Sequence, residues 1–288
     1  MRATPFARRC VHVDGVDFNV VVTGSGPAVL LVHGFPDDHT VWRLQIPAIV
    51  DAGYRVIALD TRGCGESSVP PNLEDYRLER LVDDLAGVLD ALGVDKVRLI
   101  GHDWGAIQCW AFAARHPERV DQLIALSVGH PGAYARGGLA QKLRGYYVLL
   151  IQLRGLMEAA IRAFDWWALG VMAGYPKELE HWKVLLGRPG RLTAGFNYYR
   201  ANLGVFYAGI DGRIASPAVG LWSSSDRFLT EGQMRQSARY CDGSWNYERV
   251  DDANHWLQLT APARVNALLV QHLRSVATPP QAASAAGP

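Results

Sequence analysis

Residues 97–114 constrain the fold more tightly than any other stretch. An apolar run, Val97-Arg98-Leu99-Ile100, passes through Gly101-His102-Asp103-Trp104-Gly105 into Ala106-Ile107-Gln108-Cys109-Trp110-Ala111-Phe112-Ala113-Ala114. The first segment reads as a strand and the last as a helix. Strand, sharp turn and helix together are the context a nucleophile elbow needs. Gly101 and Gly105 let the turn close where side chains would meet neighbouring backbone. The middle residue, usually Ser in such a turn, is Asp103. A carboxylate attacking carbonyl carbon would leave an anhydride. Attacking an sp3 carbon that bears a leaving group, it leaves an alkyl ester that water can cleave. The position therefore points to displacement at saturated carbon, such as epoxide opening or carbon–halogen cleavage, and away from esterase or peptidase action.

The flanking sequence supplies a framework for that turn. Residues 10–13 and 17–22 read as a hairpin turning at Asp14-Gly15. Residues 28–32 and 56–60 are apolar runs suited to parallel strands buried on both faces. The spacing predicts a helix over residues 40–52, with Pro47 near a helix start inside it. Leu78, Leu81, Val82, Leu85, Val88, Leu89 and Leu92 recur at helical intervals and Gly93 closes that helix. The elbow helix runs to His116, before Pro117, and residues 123–126 form the next strand. Strands alternating with helices imply a parallel, doubly wound sheet. From residue 131 to 215 there are helices and 13 aromatic residues but no clear strand, which reads as a helical cap over the catalytic face. The sheet resumes at residues 218–222 and 245–250, and a last helix covers 262–276. The organisation is thus a core at residues 1–130 and 216–276, a cap at 131–215 and an Ala/Pro/Ser/Gly tail at 277–288 that is expected to be disordered.

Composition narrows the function classes. The chain has 288 residues and a formal net charge of +1, which gives no electrostatic case for nucleic acid or an anionic membrane. Cys10, Cys64, Cys109 and Cys241 have no paired spacing, so free thiols in a reducing cytoplasm and no metal site are expected. No apolar stretch reaches signal-peptide length at the N-terminus or ~18 residues anywhere, so no membrane span is expected.

A nucleophile needs a base and an orienter. In this fold class they follow it in chain order, acid before His, on loops after strands. Asp226 leaves the strand ending at Trp222 and His255 leaves the strand ending at Val250. His255 would then activate the water that hydrolyses the Asp103 ester, with Asp226 holding its tautomer. The loop His33-Gly34-Phe35-Pro36 places the Phe35 N–H opposite that of Trp104, forming an oxyanion hole. His33, Pro36, Trp104 and Trp256 are expected to line the substrate pocket. An epoxide oxygen needs a proton donor, and a phenol stays protonated at neutral pH. The cap doublets Tyr146-Tyr147 and Tyr198-Tyr199 are the candidates, one member of each being structural.

The stretches His33-Gly34-Phe35-Pro36, Asp60-Thr61-Arg62-Gly63-Cys64-Gly65-Glu66-Ser67-Ser68, Gly101-His102-Asp103-Trp104-Gly105-Ala106 and Asn254-His255-Trp256 resemble the α/β-hydrolase-fold epoxide hydrolases of the soluble epoxide hydrolase branch. The resemblance implies an α/β-hydrolase fold: a mostly parallel eight-stranded sheet flanked by helices, with a helical cap insert. It implies aspartate attack on the oxirane, ester hydrolysis by a His–acid pair, and two cap tyrosines on the epoxide oxygen. Asn197-Tyr198-Tyr199-Arg200 looks like the family's Asn-aromatic-Tyr-Arg stretch and selects Tyr199. Gln152-Leu153-Arg154-Gly155 looks like its Gln-x-x-Gly stretch and selects Tyr147, with Tyr146 the alternative. Cys64 departs from the aromatic often found there. The phosphatase domain of larger vertebrate-type members is not expected. The partner is then a small lipophilic epoxide, without cofactor, in a cytoplasmic monomer or homodimer. The nearest alternative is a haloalkane dehalogenase. That class commonly holds halide with Trp104 and an Asn in the slot filled here by Phe35. A haloacid dehalogenase looks for arginines near the nucleophile, where Trp104 stands. A non-catalytic binding relative would show a broken triad.

Overall fold

The computed structural model describes residues 7–276, so the expectations for the first residues and for the tail at 277–288 fall outside it. Eight strands form one sheet: β1 (Arg8–Val13), β2 (Val16–Thr23), β3 (Ala28–Val32), β4 (Arg55–Leu59), β5 (Val97–His102), β6 (Val120–Leu126), β7 (Ala218–Ser223) and β8 (Trp245–Val250). They lie in the order β1-β2-β4-β3-β5-β6-β7-β8. The β1–β2 hairpin is antiparallel and β2 meets β4 antiparallel; every other pairing is parallel. The hairpin turn carries left-handed φ at both Asp14 (46°) and Gly15 (77°), the twist a two-residue hairpin requires. β3, β4 and β5 are apolar and buried almost throughout because helices cover both faces. β1, at the edge, is mostly exposed.

Register brings the ends of β3, β5, β6, β7 and β8 within three residues of one another. Val32 of β3 pairs with Gly101 of β5, His102 with Leu126 of β6, Leu126 with Leu221 of β7, and Ser223 with Val250 of β8. The loops after β3, β5, β6, β7 and β8 therefore emerge along one edge. β3 hands the chain outward to β4 on one side while β5 lies on its other side. That reversal opens a crevice beyond the carboxyl ends, where ligands bind in open α/β sheets.

The expected helix over 40–52 is two elements. A 3-10 turn spans His39–Trp42, with the Asp38 carboxylate accepting from the Thr40 N–H, and α1 covers Ile46–Asp51. Pro47 lacks the N–H a continuous helix would use and is tolerated only in the first turn of α1. α2 (Leu78–Ala91) buries Leu81, Leu85, Val88 and Leu89, each worth roughly 1.5–3 kcal/mol. The elbow helix α3 covers Trp104–Arg115. Between β6 and β7 the chain is helical: α4 (Pro131–Ala135), α5 (Gly138–Arg144), α6 (Tyr147–Leu150), α7 (Leu156–Ala173), α8 (Leu179–Gly187), α9 (Arg191–Ala201) and α10 (Leu203–Ala208). α7 is broken where Phe164, Asp165 and Trp166 take left-handed φ. α11 (Glu231–Gln236), α12 (Leu257–Thr260) and α13 (Pro262–Ser275) complete the described chain.

Candidate active site

Asp103 stands between β5 and α3 with φ 53° and ψ −122°, a conformation costly for a residue with a Cβ and characteristic of functional turns. Its glycine neighbours are sterically obligatory. A Cβ on Gly105 would lie 2.0 Å from the Val32 carbonyl oxygen, and one on Gly101 would lie 2.5 Å from that of Gly105. The two glycines let α3 start against β3.

Three side chains from three strand ends meet here. The Asp103 carboxylate lies 3.5 Å from His255 Nε2, and His255 Nδ1 lies 2.9 Å from Asp226 Oδ2. Asp226 is oriented by its own loop, its Oδ1 accepting the N–H groups of Phe228 (2.8 Å) and Leu229 (3.0 Å). The Phe35 N–H donates to Asp103 Oδ1 at 2.9 Å and the Trp104 N–H donates to the same carboxylate. The two N–H groups expected to face each other therefore converge on Asp103.

The charges reinforce each other. Burial opposes the His255 imidazolium, but Asp226 and Asp103 outweigh it and raise its pKa to about 10. Burial likewise opposes ionisation of Asp103, and the His255 contact overrides it, holding the carboxyl below its ordinary value. The resting pair is carboxylate and imidazolium. Behind it, the His255 carbonyl oxygen accepts from Ser127 Oγ and His102 Nε2, both at 2.9 Å. Burial first, then the nearby His255, lowers His102 to about 3, so that ring is neutral and its single N–H serves this bond.

Two apolar cavities open at Asp103. One, of about 410 Å³, is walled by Trp104, Ile107, Pro131, Tyr134 and Phe206. The other, of about 510 Å³, is walled by Pro36, Ile151, Leu169, Met172, Phe196 and Trp256. Asp103, Tyr147, Tyr199, Phe228 and His255 line both. Tyr147 and Tyr199 meet edge to face with ring centroids 5.9 Å apart. Burial lifts both phenols well above the ordinary tyrosine value; for Tyr199 the Asp103 charge adds most to that, for Tyr147 Tyr199 itself. Tyr146, the alternative to Tyr147, is 56% exposed. Tyr198 points away and donates to the Arg62 carbonyl at 2.6 Å. α9 can bring Tyr199 this close because Gly195 lies against Phe35; a Cβ there would meet that ring at 2.4 Å.

One pocket expectation needs correction. Pro36, Trp104 and Trp256 line the cavities, but His33 does not. Its ring turns into the loop, with Nδ1 on the Gly34 carbonyl (2.8 Å) and Nε2 accepting the Thr61 N–H (3.0 Å). It braces the Phe35 loop instead. Two residues escaped the sequence reading. The Phe228 ring lies 5.0 Å from that of His255 and 5.4 Å from that of Tyr147. Asp37 accepts the indole N–H groups of Trp182 and Trp256, each at 2.8 Å, and burial pushes its carboxyl up to about 7. Its place directly after Pro36 was the available signal. Asp38, His39 and Asp60 offer atoms within 4.8 Å of one another, but Asp60 already accepts from His39 twice, from Asn19 and from Glu66. This network braces the Asp60–Ser68 loop.

Known proteins match along most of the chain. A family model described as alpha/beta hydrolase fold matches residues 27–262. The AB hydrolase superfamily protein YfhM of Bacillus subtilis is 33% identical, covering 92% of this chain and 97% of the relative. Epoxide hydrolase 3 of Xenopus tropicalis is also 33% identical, covering 91% and 76%. The crystal structure of epoxide hydrolase A from Mycobacterium thermoresistibile is 32% identical and superposes with a TM-score of 0.80, covering 95% and 99%. With its elbow aspartate, its strand ends along one edge and these relatives, the chain belongs to the epoxide hydrolases of the α/β-hydrolase superfamily.

Proposed function

We propose that the protein converts a lipophilic epoxide and water to a vicinal diol through a covalent ester on Asp103. One observation carries this reading: Asp103, His255 and Asp226 lie in line at 3.5 and 2.9 Å at the junction of two apolar cavities that also hold Tyr147 and Tyr199.

In the first step an Asp103 oxygen attacks an oxirane carbon and the ring C–O bond breaks. The leaving oxygen takes that electron pair. Tyr147 and Tyr199, protonated throughout the neutral range, supply the hydrogen bonds and the proton. The tyrosine that gives up its proton regains one from the His255 imidazolium, which leaves a neutral imidazole. In the second step that neutral His255 removes a proton from water, which attacks the ester carbonyl carbon of Asp103. The developing oxyanion is met by the N–H groups of Phe35 and Trp104. Collapse breaks the ester C–O bond; the departing diol oxygen takes a proton from His255, and the new carboxyl, now carrying the water oxygen, passes its proton to His255 and restores the carboxylate–imidazolium pair.

The charge pairing explains the order of events. The Asp103 charge helps hold His255 protonated in the resting enzyme. Alkylation turns that carboxylate into a neutral ester and removes one of the two anions that raise the imidazole. Alkylation thus loosens the imidazolium's hold on its proton just when an ester awaits hydrolysis, while Asp226 still favours the charged ring. Residues 131–215 act as the cap that supplies the tyrosines and roofs the cavities, over core segments 1–130 and 216–276.

The test is one turnover in 18O-water followed by one in ordinary water. Label is expected in Asp103 after the first and in diol after the second; label that never enters residue 103 rejects the ester. Chloroalkanes assayed in parallel should yield negligible halide. Halide release faster than diol formation would assign the same array to carbon–halogen cleavage.

A further inference from the structure

The α5–α7 region is apolar on the side that faces away from the cavities. Leu139, Leu143, Tyr146, Leu149, Leu153 and Leu156 recur every three to four residues and each is half or more exposed. Phe164 and Trp167, 88% and 63% exposed, extend the pattern past the break in α7. Scattered exposed apolar residues are ordinary, but a run on successive turns of one segment marks an interaction face.

Charge identifies what the face meets. Lys142, Arg154 and Arg162 are exposed in the same stretch, whereas Arg136 and Arg144 turn back onto the Tyr240 hydroxyl and the Asp226 and Leu229 carbonyls. Its two acids are both engaged: Glu158 with Arg200 at 2.6 Å, Asp165 with Lys183 at 2.7 Å. The whole-chain charge of +1 averages over this concentration, which is why composition alone argued against an anionic surface. Leu, Trp, Tyr and Phe flanked by Lys and Arg suit the headgroup–acyl boundary of an anionic bilayer. A two-fold dimer through this face would set the same basic side chains against themselves. Among the described residues no helix is long and apolar enough to cross a membrane, so these helices would lie on the surface. The inner side of the same helices contributes Ile151, Ile161, Leu169 and Met172 to the larger cavity. A single helical layer therefore separates the outer face from the cavity.

We infer that the outer face of residues 139–171 docks on an anionic lipid bilayer, so that apolar substrate dissolved in the bilayer is taken up where it resides. The docking stands by itself; the uptake rests on the epoxide-hydrolase reading. The full chain is to be floated with vesicles of phosphatidylcholine alone or mixed with phosphatidylglycerol. We expect at least tenfold stronger partitioning to the mixed vesicles, declining with salt. Leu149→Glu with Trp167→Glu should abolish it, and Lys142→Glu with Arg154→Glu should remove the preference for anionic lipid. All four side chains are exposed, so both variants should keep the wild-type circular dichroism and the wild-type kcat/KM on a small water-soluble epoxide. Three results overturn the proposal: no partitioning, equal partitioning to both vesicle types, or a dimer in sedimentation velocity that the Leu149/Trp167 variant dissociates. Vesicle binding by an enzyme that turns over no epoxide would leave docking intact and reject only the catalytic reading.

Discussion

Asp103, Asp226 and His255 hang from the carboxyl ends of strands in one hydrogen-bonded sheet, whereas Tyr147 and Tyr199 ride on helices tied to that sheet by side chains. The first set is placed by register: β7 and β8 end level, β5 two residues short of them, and each residue lies one to five positions beyond its strand. The second set is placed by a few long contacts. Tyr198 donates to the Arg62 carbonyl at 2.6 Å, Arg191 to that of Ser67 at 2.6 Å, Trp182 to the Asp37 carboxylate at 2.8 Å, and Arg144 to the carbonyls of Asp226 and Leu229. Backbone ladders fix geometry more firmly than scattered side-chain bonds, each worth ~1 kcal/mol net. Asp103, His255 and Asp226 are thus placed by the sheet, and Tyr147 and Tyr199, which line the cavities, by contacts that side chains make.

The comparison can be broken from the strand side first. Asp103→Ala should abolish turnover, by about 10⁶-fold if its loss resembles that of other covalent nucleophiles, while affinity for a non-reactive ligand survives. His255→Gln should slow ester hydrolysis by roughly 10³-fold, within the range for a lost general base. The alkyl-enzyme should then accumulate, seen as a mass increase equal to the substrate. On the helix side, Tyr199→Phe should slow alkylation by about 10²-fold, the effect of one lost transition-state donor, with ester hydrolysis nearly unchanged in single-turnover kinetics. The reverse pattern would remove Tyr199 from the role. The array should also be visible in stability. The folded-state pKa of His255 is raised to about 10 from an ordinary 6.5. Its contribution is complete below pH 6.5 and is lost as pH rises from there towards 10. Denaturant titrations should show that decline in the wild type and a flatter profile in His255→Gln. The smallest effect tests the ties. Tyr198→Phe leaves the Arg62 carbonyl without its donor and should cost about 1 kcal/mol of stability, raising KM more than it lowers kcat.

The same division governs how much could be read from the residues. The strand side was legible because its signals are local: apolar runs for β3, β4 and β5, an elbow that needs its two glycines, and an acid and a histidine each following a strand. The helix side was less so. Choosing Tyr147 over Tyr146 requires the phase of α6 against the sheet, which spacing alone does not provide; the resemblance pointed to it. Gly195 gave no sign of the ring it would meet. His33 looked like a wall residue because its neighbours in the loop are, but imidazole can satisfy two backbone groups at once and was drawn inward. Asp37 went unread because its meaning depends on Trp182, 145 positions away. The leucines of 139–156 carry helical spacing, and spacing does not tell an inner face from an outer one.

The contact between Gly195 and Phe35 adds a further tie, at the loop whose N–H meets Asp103. Phe35 presents its backbone to Asp103 and its ring to α9, so any bulk added at position 195 would act like a shim under a hinge, lifting the tyrosine helix and tugging the catalytic loop together. A roomier chamber is therefore better sought at Leu169 or Met172, which wall the larger cavity away from the contact that couples α9 to the Phe35 loop.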